Sequence, residues 1–350
     1  MRIAQISPLY ESVPPQEYGG TERVVSFLTE ELVRLGHDVT LFASGDSVTS
    51  ARLVAMTPRS LRSDPSSVDA LPHHILMLEH LASVAQEFDF LHYHIDYMHF
   101  PFSRRLGVPQ LTTLHGRLDL ADLQRLYDEF GDMPVVSISD AQREPLPQAQ
   151  WIGTVPHGLP QDLFAAGDGG GGYLAFIGRI SPEKRVDRAI EIAGRAGLPL
   201  RIAAKVDKVD EAYFHAEIEP LMGASHVEFL GEMGDAEKGE LLRGARALVF
   251  PIDWPEPFGL VMIEAMACGT PTIAWPNGSV PEVLEEGVTG FIVSSVEEAA
   301  GAVERTATLD RRRVRERFEA RFTADRMARD YVALYDTLVA RTARPGVLRT

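Results

Sequence analysis

Short apolar runs rich in β-branched residues alternate with amphipathic stretches along nearly the whole chain, and this alternation limits the fold more than any other feature. Residues 2–7 (RIAQIS), 39–44 (VTLFAS), 88–94 (FDFLHYH), 109–115 (PQLTTLH) and 134–139 (PVVSIS) read as strands. Between the first two, TERVVSFLTEELVRLG predicts a helix over 21–36, with apolar residues at 24, 25, 28, 32 and 35 and a glycine stop at 36. Strands joined through helices must run parallel, in a sheet covered on both faces. AAGDGGGG at 165–172 reads as a flexible linker. Beyond it the alternation restarts with strands at 173–179, 200–206, 227–232, 246–252, 271–275 and 290–293, and a last amphipathic helix covers 322–340. At 350 residues, two α/β domains are expected. Residues 1–157 and 158–322 would form them, with 323–350 as a terminal helix. The ligand site of such a pair is expected in the cleft between them, at the carboxyl ends of the strands.

The formal net charge is −16, and residues 1–156 carry 11 basic against 20 acidic side chains with no lysine among them. This balance argues against nucleic acid or an anionic membrane as a partner. RRRVRER at 311–317 is the one basic block and reads as the solvated face of a helix. A single cysteine, Cys268, suits a reducing compartment. The N-terminus carries no signal-peptide pattern and no run approaches a membrane span, so the expectation is a cytoplasmic protein without stable membrane insertion.

Only four of the 34 basic residues are lysines: Lys184, Lys205, Lys208 and Lys238. In IGRISPEK (177–184), Arg179 and Lys184 lie where a strand feeds its loop and helix. A guanidinium fork and an ammonium there suit a diphosphate whose charge grows as it leaves. Lys205, at the end of the next strand, can join them. In YGGTERVV (18–25), Gly19 and Gly20 open the long helix and permit close backbone approach, with the helix N-terminus turned to a phosphate. GDGGGG at 167–172 has the spacing of a dinucleotide fingerprint but precedes a strand instead of following one, which excludes that reading.

EPFGLVMIEA (256–265) places two glutamates around an apolar helix start. Burying a carboxylate costs several kcal/mol unless something pairs with it. Both acids should therefore point at solvent or both at a ligand. A helix beginning near Phe258–Gly259 would turn the N–H groups of Phe258, Gly259 and Leu260 toward an anion. Eight helical residues span about 12 Å. Carboxylates at both ends of a diphosphate site fit a nucleotide sugar, with hexose at one end and ribose at the other.

These motifs, and above all the stretch PIDWPEPFGLVMIEAMACGTPTIAWPNGSVPEVLEEGVTGFIV (251–293), resemble the retaining glycosyltransferases of family four. The resemblance covers nearly the whole chain and implies the α/β GT-B architecture of two Rossmann-like domains. It places donor-sugar hydroxyls on Glu256, ribose hydroxyls on Glu264 and the diphosphate on the Arg-x4-Lys pair Arg179 and Lys184. It also implies Gly20 in the loop over the phosphates, Met233 beside the base and His115 near the reacting sugar. The terminal helix would cross back to the first domain. The implied activity is transfer of a hexose from a nucleoside-diphosphate sugar, a UDP-sugar favoured, to an acceptor hydroxyl. No cofactor or metal is implied. His157–Gly158 stands where the family often has Asn-Gly, and AAKVD around Lys205 where it has a glycine-rich turn. Together with PLYESVPPQEYGGTERVV and LFASGDS, this resembles a bacterial branch described as tetrahydrobiopterin glucosyltransferase-like.

His92, His94 and His99 in HYHIDYMH read as lining the acceptor side of the cleft, since metal ligation needs three or four converging ligands. The chain contains no Asp-x-Asp pair to clamp a metal on a diphosphate. A nucleotide-sugar epimerase or hydrolase, and a non-catalytic nucleotide-sugar-binding protein, are the alternatives.

Overall fold

The computed structural model describes residues 1–16 and 19–342, so Tyr18 of the glycine motif and positions 343–350 of the terminal segment lie outside the described residues. The chain divides into two compact units. One comprises Met1–Gly158 and the chain from Ala324 on; the other is Leu159–Thr323.

The first unit holds a seven-stranded parallel sheet in the order β3-β2-β1-β4-β5-β6-β7. Its strands are β1 (Arg2–Ile6), β2 (Asp38–Ser44), β3 (Arg52–Thr57), β4 (Phe90–Tyr93), β5 (Gln110–Thr113), β6 (Pro134–Ser137) and β7 (Gln150–Thr154). Helix α1 (Gly20–Arg34) follows β1. Central strands of a parallel sheet are covered on both faces, so they read as continuous apolar runs. Ile3, Ala4, Ile6, Phe90, Leu91 and Tyr93 are accordingly all fully buried. The two strands without a sequence signal are the edges β3 and β7, whose residues are mostly half-buried and therefore mixed in polarity.

The second unit repeats the plan with β8 (Leu174–Arg179), β9 (Leu200–Lys205), β10 (Val227–Gly231), β11 (Ala247–Phe250), β12 (Thr272–Ala274) and β13 (Gly290–Ile292). Their order, β10-β9-β8-β11-β12-β13, is the 3-2-1-4-5-6 order of a dinucleotide-type sheet. In each unit the order reverses beside the first strand, so ligand chemistry is expected at β1/β4 and at β8/β11. Helices α2 (Val186–Ala196), α3 (Asp235–Gly244), α4 (Leu260–Ala267) and α5 (Arg311–Arg321) belong to this unit. Helix α6 (Ala324–Thr342) completes the first unit's core, burying Met327, Ala328, Tyr331 and Tyr335, with the Tyr335 ring 4.4 Å from Phe90.

Two expectations need correction. Residues 165–172 are not a flexible linker, because their backbone is hydrogen-bonded into the second unit: Gly167 N–H donates to Cys268 O (3.0 Å), Gly169 to Arg243 O (3.1 Å) and Gly171 to Gly244 O (3.0 Å). The glycines are there for close approach, since a Cβ on Gly167 would overlap the Arg243 backbone. Nor is 311–317 merely a solvated face. The Arg311 guanidinium donates to Gly167 O (2.8 Å), Ala245 O (3.1 Å), Arg243 O (3.3 Å) and Thr270 Oγ1 (2.6 Å), and Arg315 donates to Phe164, Ala267 and Gln161 carbonyls. These arginines staple the glycine run to the unit that follows it.

Candidate functional site

In the second unit the predicted cations gather at the carboxyl ends of β8 and β9. Arg179 and Lys205 are register partners on adjacent strands. Neither is an open cation. Arg179 Nη2 lies 2.5 Å from Glu183 Oε1, its Nη1 3.6 Å from Asp207 and its Nε 3.4 Å from Asp210; Lys205 Nζ lies 3.6 Å from Asp207. Burial lifts the Asp210 carboxyl above the usual carboxylate range despite the nearby guanidinium.

Glu256 and Glu264 do not point at solvent. Both are buried, at 8% and 3% exposure, and each has a lysine beside it. Glu256 accepts from Lys184 Nζ and from Trp254 Nε1 (3.1 Å), while the Lys184 ammonium sits 4.8 Å from the Trp254 ring centre. Glu264 Oε1 lies 3.7 Å from Lys238, which also pairs with Asp235 at 2.9 Å. Lys184 was expected on a diphosphate; here its carboxylate partner comes from 72 positions away in sequence.

The loop carrying Glu256 is fixed from both sides. Upstream, Asp253 N–H donates to Glu183 O (2.8 Å), and its carboxylate is held by Arg185 and Arg188, each at 3.0 Å. Downstream, Asn277 Nδ2 donates to Ile252 O (2.7 Å), Ser279 N–H to Glu256 O (2.9 Å) and Ser279 Oγ to Phe258 O (2.9 Å). Gly278, with φ 59°, lies so close that a Cβ would overlap the Glu256 backbone N and O. Asn277, Gly278 and Ser279 were not predicted as site residues, although the tripeptide NGS is a turn signal within the very stretch that carries the family resemblance.

Helix α4 begins after Gly259, whose φ of 75° is left-handed and whose missing side chain avoids Met262 and the Phe250 ring. Residues 256–259 are therefore loop, so the estimate of eight helical residues between the two glutamates fails: Glu256 lies outside the helix and Glu264 in its second turn. Phe258 is buried, Leu260 half-buried, and Met233, at the turn before α3, packs half-buried against the cluster that contains Tyr173 and Leu241. Burial pushes the Cys268 thiol up to about 12, which leaves it protonated and a poor nucleophile.

In the first unit, Gly20 is the first residue of α1 and Gly19 caps it in extended backbone. A Cβ on Gly19 would crowd Pro15 at 2.8 Å. Glu22 already occupies the first turn, buried, its carboxyl raised by desolvation. His115 follows β5 and joins a histidine cluster at the β1/β4 switch point. Its Nε2 is 2.9 Å from His94 Nδ1, and its ring stacks on His157 at 5.3 Å. His94 Nε2 is 2.7 Å from Gln5 Oε1, in the central strand. His92 bonds Tyr335 OH (2.7 Å) and Thr113 Oγ1 (2.8 Å). The expectation that His92, His94 and His99 line an acceptor surface fails: none exceeds 2% exposure, and His99 is spent on Ser103 and Thr112 inside the core. Burial holds all of these imidazoles neutral, His115 down to about 3. Gln5 could have been suspected from the sequence, as a polar residue in the middle of an apolar strand needs a buried partner.

Among the described residues no group of three or more His, Cys, Asp or Glu side chains could hold a metal ion, and no helix is long and apolar enough to cross a membrane. Residues 18–145 match the family described as Glycosyltransferase Family 4, and residues 166–321 the one described as Glycosyl transferases group 1. A phosphatidyl-myo-inositol mannosyltransferase of Mycobacterium tuberculosis is 26% identical over 399 aligned residues, covering 99% of this chain and 100% of the relative. A D-inositol 3-phosphate glycosyltransferase of Actinosynnema mirum is 31% identical over 163 residues, 40% of this chain and 39% of that one. Among solved structures, a glycosyltransferase involved in avilamycin A biosynthesis superimposes with a TM-score of 0.75 at 24% identity, covering 97% of this chain and 98% of that one. The Anabaena protein HepE, in complex with UDP and glucose, does so at 0.73 and 18%, covering 96% and 100%.

Proposed function

We propose that this chain, a glycosyltransferase of the GT-B fold whose two halves match family-four and group 1 descriptions, moves a hexose from a nucleoside-diphosphate sugar to an acceptor hydroxyl with retention at the anomeric carbon. The observation that carries the donor site is the pair of buried glutamates around the start of α4, each matched to one of the chain's four lysines. In this reading the diphosphate takes Lys184 from Glu256. The carboxylate so released accepts hydrogen bonds from sugar hydroxyls, while Glu264 holds the ribose. Arg179 leaves Glu183 for the same diphosphate, and Lys205 and the N-terminus of α4 add positive charge, so no metal is required. Exchanging one anion for another on buried cations avoids leaving either charge unpaired, the costly state in such a site.

In this reading the second unit binds the donor and the first binds the acceptor. The acceptor oxygen attacks on the face the diphosphate leaves, and its proton passes to a phosphate oxygen. No side chain is assigned as a covalent nucleophile. With no lysine in residues 1–156, a small hydroxylated acceptor fits the first unit better than an anionic lipid surface.

Thermal unfolding with UDP, GDP and ADP, on the parent and on Glu264→Ala, tests the donor site. Ligand at about 100 times its dissociation constant should add roughly 2.7 kcal/mol of stability. One diphosphate is expected to raise the midpoint, and the ligand-induced part should vanish in Glu264→Ala. An equal shift in both proteins removes the glutamates from the site. Incubating the matching nucleotide sugars with tetrahydrobiopterin, inositol 3-phosphate and phosphatidylinositol, then reading the anomeric proton couplings of the product, settles acceptor class and stereochemistry. An inverted product refutes the retaining reading.

A further inference from the structure

The histidine cluster contains an ordered chain of hydrogen bonds that ends on an unfilled nitrogen. Gln5 Nε2 points to Tyr335 OH (3.4 Å), which turns its Oε1 to His94 Nε2 at 2.7 Å. A carbonyl oxygen only accepts, so His94 carries its proton on Nε2. His94 is neutral, held so by burial, and its Nδ1 is therefore a lone pair. The contact from that Nδ1 to His115 Nε2, at 2.9 Å, then needs a proton on His115 Nε2. Since His115 is neutral too, its Nδ1 is a lone pair, and this buried atom has no hydrogen-bond partner among the described residues. Rotating the Gln5 amide would reverse every bond and leave a buried N–H at that position instead. An orphaned N–H is the rarer and costlier arrangement.

We propose that Gln5 and His94 are positioning residues that fix the tautomer of His115, so that its Nδ1 accepts a hydrogen bond from a substrate hydroxyl. The inference rests on the transferase reading above and sharpens it. A lone pair at this point welcomes an O–H donor and repels a phosphate oxygen, so it selects the hydroxylated part of the substrate over the anionic part. Gln5 lies in β1 and His94 directly after β4, which makes the switch point of the first sheet the source of this selectivity.

The test reads the tautomer first. Two-bond 15N–1H correlation spectra of histidine-labelled protein, with His115 assigned through His115→Asn, should show a bare Nδ1 and a protonated Nε2. A protonated His115 Nδ1 in the parent overturns the proposal, whatever the enzyme transfers. Gln5→Leu removes the acceptor at the head of the chain and is expected to mix the two tautomers. It should also lower kcat roughly tenfold, the rate equivalent of one lost hydrogen bond, without changing the midpoint shift produced by the nucleoside diphosphate. Gln5→Glu keeps an acceptor oxygen and should restore both tautomer and rate. An unchanged spectrum and kcat in Gln5→Leu also overturn the proposal. If Gln5→Leu does not fold, the parent and Gln5→Glu spectra still decide. Absence of transfer with every donor, beside the expected spectrum, would indict the function and leave the tautomer standing.

Discussion

Replacing Gly278 by alanine should disconnect Glu256 from the rest of the proposed donor site. The residue has φ 59°, and an alanine in the left-handed region costs about 1–2 kcal/mol on conformation alone. Its Cβ would also overlap the Glu256 N and O and come within 2.7 Å of Pro255 C. All three are backbone atoms, without a side-chain rotamer to yield, so overpacking adds about 1–3 kcal/mol. The expected cost is therefore roughly 2–5 kcal/mol. Gly287 provides the control: its φ is 71°, but nothing lies within 4 Å of its Cβ position. Gly287→Ala should cost only the conformational part, about 1–2 kcal/mol. Urea denaturation of the two variants isolates the close contact as their difference. The strain is relieved by moving the 255–256 backbone away from Ser279, whose N–H holds Glu256 O at 2.9 Å. Donor KM should therefore rise in Gly278→Ala and stay unchanged in Gly287→Ala. Equal stability losses with an unchanged donor KM in both would refute the claim that this approach positions the glutamate.

Arg311→Ala removes four hydrogen bonds and leaves three carbonyls in a poorly hydrated place; at about 1 kcal/mol each, a loss near 3 kcal/mol is expected by urea titration. Arg312→Ala, one position along and exposed, should stay within about 0.5 kcal/mol, and equal effects would mean that the staple does not exist. Acid should weaken the first unit in particular, because burial depresses His74, His92, His94, His99, His115 and His157 below their unfolded value of about 6.5. A depressed pKa contributes stability above the unfolded pKa and loses it as pH falls toward the folded one, here by up to about 1.4 kcal/mol per histidine per pH unit. Glu22 and Asp96, whose carboxyls burial raises, Asp96 to about 6, work in the opposite direction but are two groups against six. Urea midpoints should be nearly flat above pH 7 and drop steeply between 6.5 and 5; a flat profile down to pH 5 would show that the folded cluster is already charged.

The elements with the clearest sequence signal are those whose environment is uniform. Buried parallel strands such as β1, apart from Gln5, and the first four residues of β8 read as apolar runs, and α1 shows its period because one face is covered. The edges β3 and β7 face two environments at once and carry no clean pattern. The residues proposed for the site can be picked out in the sequence by type, but their pairings in the structure cannot. Lys184 with Glu256, and Lys238 with Glu264, are contacts across distance in the chain, and no local pattern announces them. The same holds for Gln5, whose partners arrive from β4 and from α6. The glycines at 167–172 misled because flexibility and close approach demand the same residue.

The return of α6 to the first unit also sets an order of assembly. A chain emerging from the ribosome has completed residues 159–323 before the helix bearing Tyr331 and Tyr335 exists, so the first core waits for residues 324–342 while the second can close earlier. Holding the ends of an unstructured insert of that length together would cost on the order of 4–5 kcal/mol in loop-closure entropy. Once the insert is folded, Leu159 and Thr323 are bridged side by side, with Leu159 N–H on Phe322 O at 2.9 Å. The long excursion then counts for the rest of the chain as a short turn, and the last helix is delivered to the first core with that entropy already spent.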